Sequence, residues 1–233
     1  SEKGNDYAAL VNKGLAHTYN SEYKEAEDTF TECAKLYPED PVCDWRRAHS
    51  WFWRLRREQN TNLPKFDKKN KEAREEFQRF KLLINSGIEK VDAKITREEN
   101  KDFYLYVKAC LLSFRGGIEA KNESLLDARE TLKEVLSFAE QSSYPDAKFI
   151  IGVANYFGAN HPVIFWLAGL PRDEEKGLRL IFESTPGNKS PFIYDIYFFI
   201  FKIMIESKYG PHYTLQQKAG LFKDLYRAFP QNE

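Results

Sequence analysis

The chain has few of the residues that build metal centres, disulfide frameworks or membrane spans. Its 233 residues include three cysteines and four histidines, and neither set has the short spacing of a metal site. No run of eighteen apolar residues occurs, so we expect no spanning helix. Neither a start methionine nor a signal peptide is present, so we expect a trimmed or mature form. Basic and acidic residues are equal at 35 each, which gives no general attraction to nucleic acid.

Sequence signatures of catalysis are also missing. The chain contains no HExxH motif, phosphate-binding loop, dinucleotide fingerprint or nucleophile elbow. Carboxylates such as Glu25, Glu27 and Asp28 are spread around a helix surface. We therefore predict a protein that is not an enzyme and that needs no cofactor or metal.

Two of the cysteines, Cys33 and Cys43, flank a predicted turn between consecutive helices. They could form a disulfide if the protein folds in an oxidising compartment. They could equally serve as small apolar residues of a core, and we favour this second interpretation.

Helical periodicity is what the sequence does contain. Apolar residues step by three and four along the chain, as in Phe77, Phe80 and Ile84. Proline, asparagine and glycine interrupt these segments and divide the chain into helix pairs near 6–38, 41–96, 100–141, 145–186 and 190–230. No segment has the alternation of a strand. The pattern predicts an all-α protein with one domain over residues 1–233.

The first pair carries a recognisable set of positions, namely Gly14, Tyr23, Ala26, Phe30 and Pro38. Their offsets are those at which a tetratricopeptide repeat keeps small, aromatic, small, aromatic and helix-ending residues, so this segment resembles that family. The resemblance implies a right-handed α-solenoid of about five stacked hairpins and about ten helices, with a groove that holds a partner.

The last helix repeats half of this motif. Phe222, Leu225, Phe229 and Pro230 have the spacing of Phe30, Cys33, Tyr37 and Pro38. The segment before it, 191–205, is strongly apolar, and Asp195 and Lys202 are its only charged residues. We predict an interior helix that is buried on most sides and whose polar stripe reaches the groove or solvent.

The fourth pair departs from the repeat. Gly152 and Gly177 occupy its small positions but are 25 residues apart, whereas Gly14 and Ala26 are 12 apart. The extra residues include the apolar and aromatic stretch 160–171, which should not remain in water. It could cover the core, bind a ligand or partner, or form a homodimer contact. This arrangement is similar to divergent bacterial proteins of the family, which implies a bacterial protein of the cytoplasm or, after removal of a signal segment, of the periplasm.

The helix 45–58 is the best binding candidate by composition. Arg46, Arg47, Arg54 and Arg57 lie on one side, and Trp53 borders them. Arginine beside tryptophan suits a carboxylate, a phosphate or an acidic peptide. Alternatively, these arginines pair with the acidic segment 22–44, which has eight acidic and two basic residues.

We therefore predict a scaffold that binds a protein or peptide partner in an open groove lined by first-helix residues such as His17, His49, Asn155 and Tyr156. The alternative is a carrier of an apolar small molecule or lipid, in a pocket among Phe149, Tyr156, Phe165, Trp166 and Phe199. The predicted binding residues are Arg46, Arg47, His49, Trp53, Arg54, Asn155, Tyr156, His161, Phe165 and Trp166.

Overall fold

The computed structural model describes residues 2–61, 63–160, 169–206 and 214–230, and over these residues the chain is helical with no β-strand. The helices are α1 (Glu2–Tyr19), α2 (Tyr23–Leu36), α3 (Pro41–Glu58), α4 (Lys71–Thr96), α5 (Lys101–Asn122), α6 (Leu125–Gln141), α7 (Ala147–Asn160), α8 (Glu174–Glu183), α9 (Ile193–Glu206) and α10 (Leu215–Ala228). These ten helices of the described residues confirm the predicted all-α class. None of them is long and apolar enough to cross a membrane.

Helices that follow each other along the chain pack against each other. Every consecutive pair from α1 to α10 is in contact, and α1 also meets α3, α3 meets α5, and α5 meets α7. In an α-solenoid, each helix pair buries its apolar face against the next pair in the same way. The chain therefore forms a solenoid-like stack of five helix pairs.

Local sequence signals determine where several helices begin. The Asp40 carboxylate accepts a hydrogen bond of 2.8 Å from the backbone N–H of Val42, and Pro41 is the first residue of α3. Ahead of α10, Thr214 and Gln217 form a capping box, in which each side chain accepts from the backbone N–H of the other. These contacts satisfy N–H groups that have no partner inside the helix.

Glycine allows the closest helix contacts. A Cβ atom on Gly14 would lie 2.5 Å from Cζ of Phe30, so the Phe30 ring sits where that side chain would be. Gly152 of α7 and Gly177 of α8 face each other, and a Cβ on Gly177 would lie 2.6 Å from the backbone nitrogen of Tyr156. In the fourth pair the helices therefore touch at both small positions identified in the sequence, whereas in the first pair Gly14 meets the ring of Phe30 and not Ala26.

Two apolar cores hold the stack together, and α9 belongs to both. The larger core contains the wholly buried Phe30 and Phe80, and Phe192 joins it from just before α9. The smaller core joins α8 to α9 through Ile181 and Ile196. The residues of α9 from Ile193 to Met204 are all buried or half-buried, which agrees with the predicted interior helix.

The sulfur atoms of Cys33 and Cys43 form a disulfide. The favoured prediction of two free thiols is therefore wrong. Because α2 ends at Leu36 and α3 begins at Pro41, the tight turn brings the two cysteines together. Closing a loop of this length stabilises a fold by about 3 kcal/mol, mainly by restricting the unfolded chain.

Candidate binding cleft

Helix α9 and Phe192 just before it pack onto the surface formed by the first helices α1, α3 and α5. The Phe192 ring lies 4.6 Å from the ring of Trp45 in α3 and 6.3 Å from that of Phe103 in α5. The Phe198 ring lies 5.8 Å from the ring of Tyr19, the last residue of α1. A helix from the chain itself thus occupies this part of the inner surface.

This packing leaves His49, which was expected to line an open groove, only 7% exposed at the edge of a cleft. The physical reason is the composition of α9. A helix with apolar side chains around most of its circumference is stable only when neighbours cover most of its sides. The surface of the first helices supplies one of these neighbours, and α7 and α8 supply others through Phe199 and Ile196.

A buried polar cluster fastens α9 to α1 and α3. Nη1 of Arg46 donates to Oδ2 of Asp195 at 2.8 Å, and the Tyr19 hydroxyl donates to Oδ1 of Asp195 at 2.9 Å. The Arg46 side chain is 0% exposed. Its guanidinium carbon also lies 4.9 Å from the ring centre of Trp45 and 5.0 Å from that of Phe192. The cation is therefore held by a carboxylate and by two aromatic faces.

Burial and charge pairing compete over the pKa of Asp195. Burial alone would raise it, but the neighbouring Arg46 cation and the hydrogen bonds from Arg46 and Tyr19 outweigh burial, so this pKa lies below its ordinary value. Burial alone would likewise lower the pKa of Arg46, yet the Asp195 carboxylate raises it overall. Both groups are therefore charged at neutral pH, and the pair is ionic.

His49 completes the cluster as a neutral ring. Its Nδ1 lies 3.0 Å from Nη2 of Arg46, and its Nε2 lies 2.7 Å from Nε1 of Trp53. Both neighbours can only donate, so a neutral imidazole accepts from one of them through its unprotonated nitrogen, and a protonated imidazole could accept from neither. Burial and then the Arg46 cation lower the pKa of His49 to about 3, against the opposing pull of Asp195.

Acidification is therefore expected to destabilise the fold through His49. Its pKa is about 3 in the folded chain, against an ordinary value of 6.5 for histidine, so between these values the unfolded chain binds a proton that the folded chain does not. The free energy of unfolding should fall as pH drops below 6.5, by at most about 1.4 kcal/mol per pH unit. Urea denaturation at pH 7 and pH 4.5 measures this loss.

One variant tests the assignment to this ring. His49→Gln should show a much smaller loss between the two pH values. An unchanged acid sensitivity in His49→Gln would contradict the assignment.

A cleft of about 590 Å³ lies beside this cluster, between the end of α3 and the helices α9 and α10. Nearly half of its lining residues are aromatic, and these rings are Tyr19, Tyr23, Trp53, Phe198, Phe199, Phe201, Phe222, Tyr226 and Phe229. Arg56, Arg57 and Lys202 also line the cleft, and the Arg56 guanidinium lies 4.8 Å from the Trp53 ring centre. The cleft therefore combines an apolar wall with positively charged side chains.

The cleft exists because α9 has no small residue. In the first pair, Phe30 of α2 packs over Gly14 and is 0% exposed. The corresponding residue of α10, Phe222, faces a helix that contains neither glycine nor alanine. Its ring lies 5.8 Å from Phe201 and 6.0 Å from Tyr226, yet it remains 53% exposed.

The two half-motifs nevertheless share their backbone geometry. Helices α2 and α10 each have 14 residues. The backbone N–H of Tyr37 donates to the backbone carbonyl of Cys33 at 2.9 Å, and the backbone N–H of Phe229 donates to that of Leu225 at 2.8 Å. The same local sequence thus ends both helices in the same way, and only the neighbouring helix decides whether the aromatic residue is buried.

The structure brings together three of the predicted binding residues. His49 and Trp53 line the cleft, and Arg46 lies behind them. The prediction that Arg46 is an exposed binding residue is wrong, because α9 covers this side of α3. Arg47 instead pairs with Glu27 at 3.2 Å, as the alternative interpretation expected.

The remaining predicted residues lie away from the cleft. Arg54 pairs with Glu58 at 3.1 Å and with Glu76 of α4 at 2.6 Å. Asn155 is 1% exposed, and Tyr156 lies 6.5 Å from the Phe199 ring, so both are packed near the second core. Three further predictions fall outside the described residues, namely His161, Phe165 and Trp166.

The aromatic residues of α9 and α10 that line the cleft were not among the predicted binding residues. The sequence could have indicated them. Phe222 occupies the position of Phe30 in the first pair, but α9 has no small residue equivalent to Gly14. A missing small residue predicts that the second helix cannot close against the first. Within the described chain, no group of three or more histidine, cysteine or acidic side chains could hold a metal ion.

Comparison with protein families, characterised proteins and solved structures gave no match for this chain. The geometry of the cleft and of its surroundings therefore carries the functional argument.

Proposed function

We propose that the chain is a non-enzymatic binding module of the tetratricopeptide type, and that a protein or peptide partner places apolar side chains in the cleft beside α9 and α10. One observation carries the proposal. Phe222, Tyr226 and Ile205 are 53%, 54% and 55% exposed at the cleft. Contiguous apolar surface of this kind, bordered by polar side chains, is typical of interaction sites.

The size and chemistry of the cleft fit a short segment of a partner. Its volume of about 590 Å³ falls in the range of about 300–1,000 Å³ of most ligand sites. This is room for a few side chains, such as the anchors that an amphipathic helix places in a groove.

The disulfide bears on the cellular compartment in which this module works. Disulfides persist mainly in oxidising compartments, and Cys33 and Cys43 are bonded in this fold. We therefore propose that the protein works outside the reducing cytoplasm.

Replacing Phe222 is expected to weaken partner binding at least tenfold, because an aromatic anchor at the centre of an interface accounts for about 2 kcal/mol or more. Peptides are selected from a displayed library on the wild-type protein, and their affinities for wild type and Phe222→Ser are then compared by fluorescence anisotropy. The matched control is Leu126→Ser, which removes a leucine that is 71% exposed on α6. Selected peptides that bind Phe222→Ser as tightly as wild type would place the site elsewhere.

A carrier of an apolar small molecule is the second candidate, and the cleft volume favours it. The described residues of the pocket predicted for a carrier instead pack against each other. The Phe199 ring centre lies 5.4 Å from that of Phe149 and 6.5 Å from that of Tyr156. Native mass spectrometry of gently purified protein distinguishes the candidates, since a bound lipid that Phe222→Ser loses supports the carrier.

A further inference from the structure

A second cavity lies on a different part of the stack, at the start of α4. Its volume is about 770 Å³, and the residues that line it come from the segment before α4, from the first turns of α4 and from the end of α5. Phe66 and Phe77 form an apolar floor, with ring centres 5.0 Å apart and with 5% and 9% of their surfaces exposed. Four cations surround this floor, namely Lys68, Lys71, Arg74 and Arg79.

Pairing within the chain leaves the cavity with an excess of positive charge. Its two carboxylates are Glu75 and Glu123. Glu123 pairs with Lys81 at 2.6 Å, and Glu75 lies 3.8 Å from Lys71. Among the described residues, no carboxylate lies within ion-pair distance of Lys68, Arg74 or Arg79. The positive charges of these three side chains can therefore attract an anionic ligand.

The walls of the cavity are held in place. The Asn122 side chain, which is 6% exposed, accepts from the Phe66 N–H at 2.8 Å and donates to the Pro64 carbonyl at 3.0 Å. The Arg74 guanidinium donates to the Lys68 carbonyl at 2.8 Å. The segment before α4 is thus tied to both α4 and α5. A ligand would therefore lose little affinity to the ordering of this segment.

We infer that this basic groove, formed by Lys68, Lys71, Arg74 and Arg79 around Phe66 and Phe77, binds an acidic peptide segment. The four cations are exposed and spread along about two turns of α4 and the segment before it, roughly 12 Å along the helix. Charges spread in this way match several carboxylates along an extended chain better than one compact anion. The apolar floor formed by Phe66 and Phe77 can contact the aliphatic parts of the bound peptide. Arginine is well suited to this task because its fork of donors can bind a carboxylate through two hydrogen bonds.

This groove is separate from the cleft beside α9 and α10, and neither site depends on the other. The net charge of the whole chain is zero, so the attraction has to come from the local arrangement. Because the cations are exposed, the interaction should weaken as salt screens it.

A fluorescein-labelled peptide of eight glutamates tests the inference, with the full chain at 50 and 300 mM NaCl and fluorescence anisotropy as the measurement. We expect saturable binding at low salt that weakens at least tenfold at high salt. The double variant Arg74→Gln and Arg79→Gln should bind at least tenfold more weakly than wild type. Circular dichroism verifies that this variant is folded, as expected for two exposed side chains.

The matched control removes two cations elsewhere. Arg97→Gln with Lys101→Gln changes the net charge by the same amount at the junction of α4 and α5, and it should bind the peptide as wild type does. Phe222→Ser should also bind normally, which separates this site from the cleft. Equal weakening by both double variants would show a general charge effect and overturn the inference.

Two competitors distinguish other occupants. Inorganic pyrophosphate and a single-stranded oligonucleotide of eight thymidines are added to the complex with the labelled peptide. We expect both to compete more weakly than unlabelled oligoglutamate. Displacement by pyrophosphate at the same concentration as oligoglutamate would show a site for small anions. Tighter binding of the oligonucleotide would show a nucleic-acid site, and either result would overturn the peptide assignment.

Discussion

Removing one partner of the buried Arg46–Asp195 pair is expected to lower the free energy of unfolding by about 3–5 kcal/mol. Asp195→Asn keeps the size of the side chain but leaves the Arg46 cation, which is 0% exposed, without a counter-charge. The hydroxyl of Tyr19 and the ring of His49 lose the same carboxylate. Since these contacts join α9 to α1 and α3, the loss should appear in the cooperative unfolding transition, measured with guanidinium chloride at pH 7.

Two further variants identify the cause of this loss. Arg47→Met removes a cation whose pair with Glu27 is partly exposed to solvent, and it should cost no more than about 1 kcal/mol. The double variant Arg46→Met with Asp195→Leu leaves no charge in this cluster, so it should recover much of the stability lost in Asp195→Asn. If Asp195→Asn lowered the free energy of unfolding no more than Arg47→Met does, the Arg46–Asp195 pair would be effectively solvated.

Adding a methyl group between α7 and α8 should be the other severe change. A Cβ on Gly152 would lie 2.8 Å from the carbonyl oxygen of Gly177, and a Cβ on Gly177 would lie 2.6 Å from the backbone nitrogen of Tyr156. The obstructing atoms are backbone atoms, so the helices themselves must move apart. We expect Gly152→Ala and Gly177→Ala each to cost about 3 kcal/mol or more, at the upper end for an overfilled core. Thermal and chemical denaturation both measure this effect.

Gly220→Ala is the matched control for these variants. Gly220 lies inside α10, and a Cβ there would meet no atom within 4 Å. Because alanine favours a helix over glycine by about 1 kcal/mol, this substitution should raise stability slightly. If Gly152→Ala behaved in the same way, the close approach of α7 and α8 would be incorrect.

The helical class and the closest helix contacts could be predicted from local sequence. Apolar residues repeat at three and four positions, and this period determines a helix wherever it is long enough. Gly152 and Gly177 were identified as small positions despite the unusual length between them, since two helix backbones approach closely only where side chains are missing. The half-motif at Phe222 likewise predicted the end of α10 correctly.

The interactions of the inner surface could not be predicted in the same way. Arg46 and Asp195 are 149 residues apart, and no periodic pattern joins them. The sequence suggested a solvated arginine face on α3, because a helical projection shows which residues share a side but not which helix covers that side. The free-thiol prediction for Cys33 and Cys43 is wrong for a similar reason, since spacing alone did not settle whether the two side chains meet.

By itself, then, the amino-acid sequence determined a stack of helices, the places where two of its hairpins close tightly, and an apolar helix that had to be covered. These features depend on the period of apolar residues and on single small residues, which act over one or two helical turns. Only the tertiary structure decided that α9 would lie on α1 and α3, that Arg46 would be buried with Asp195, and that Phe222 would be left beside an open cleft. Each of these depends on which distant surfaces meet, and that is settled by burial of the whole apolar surface of the chain at once.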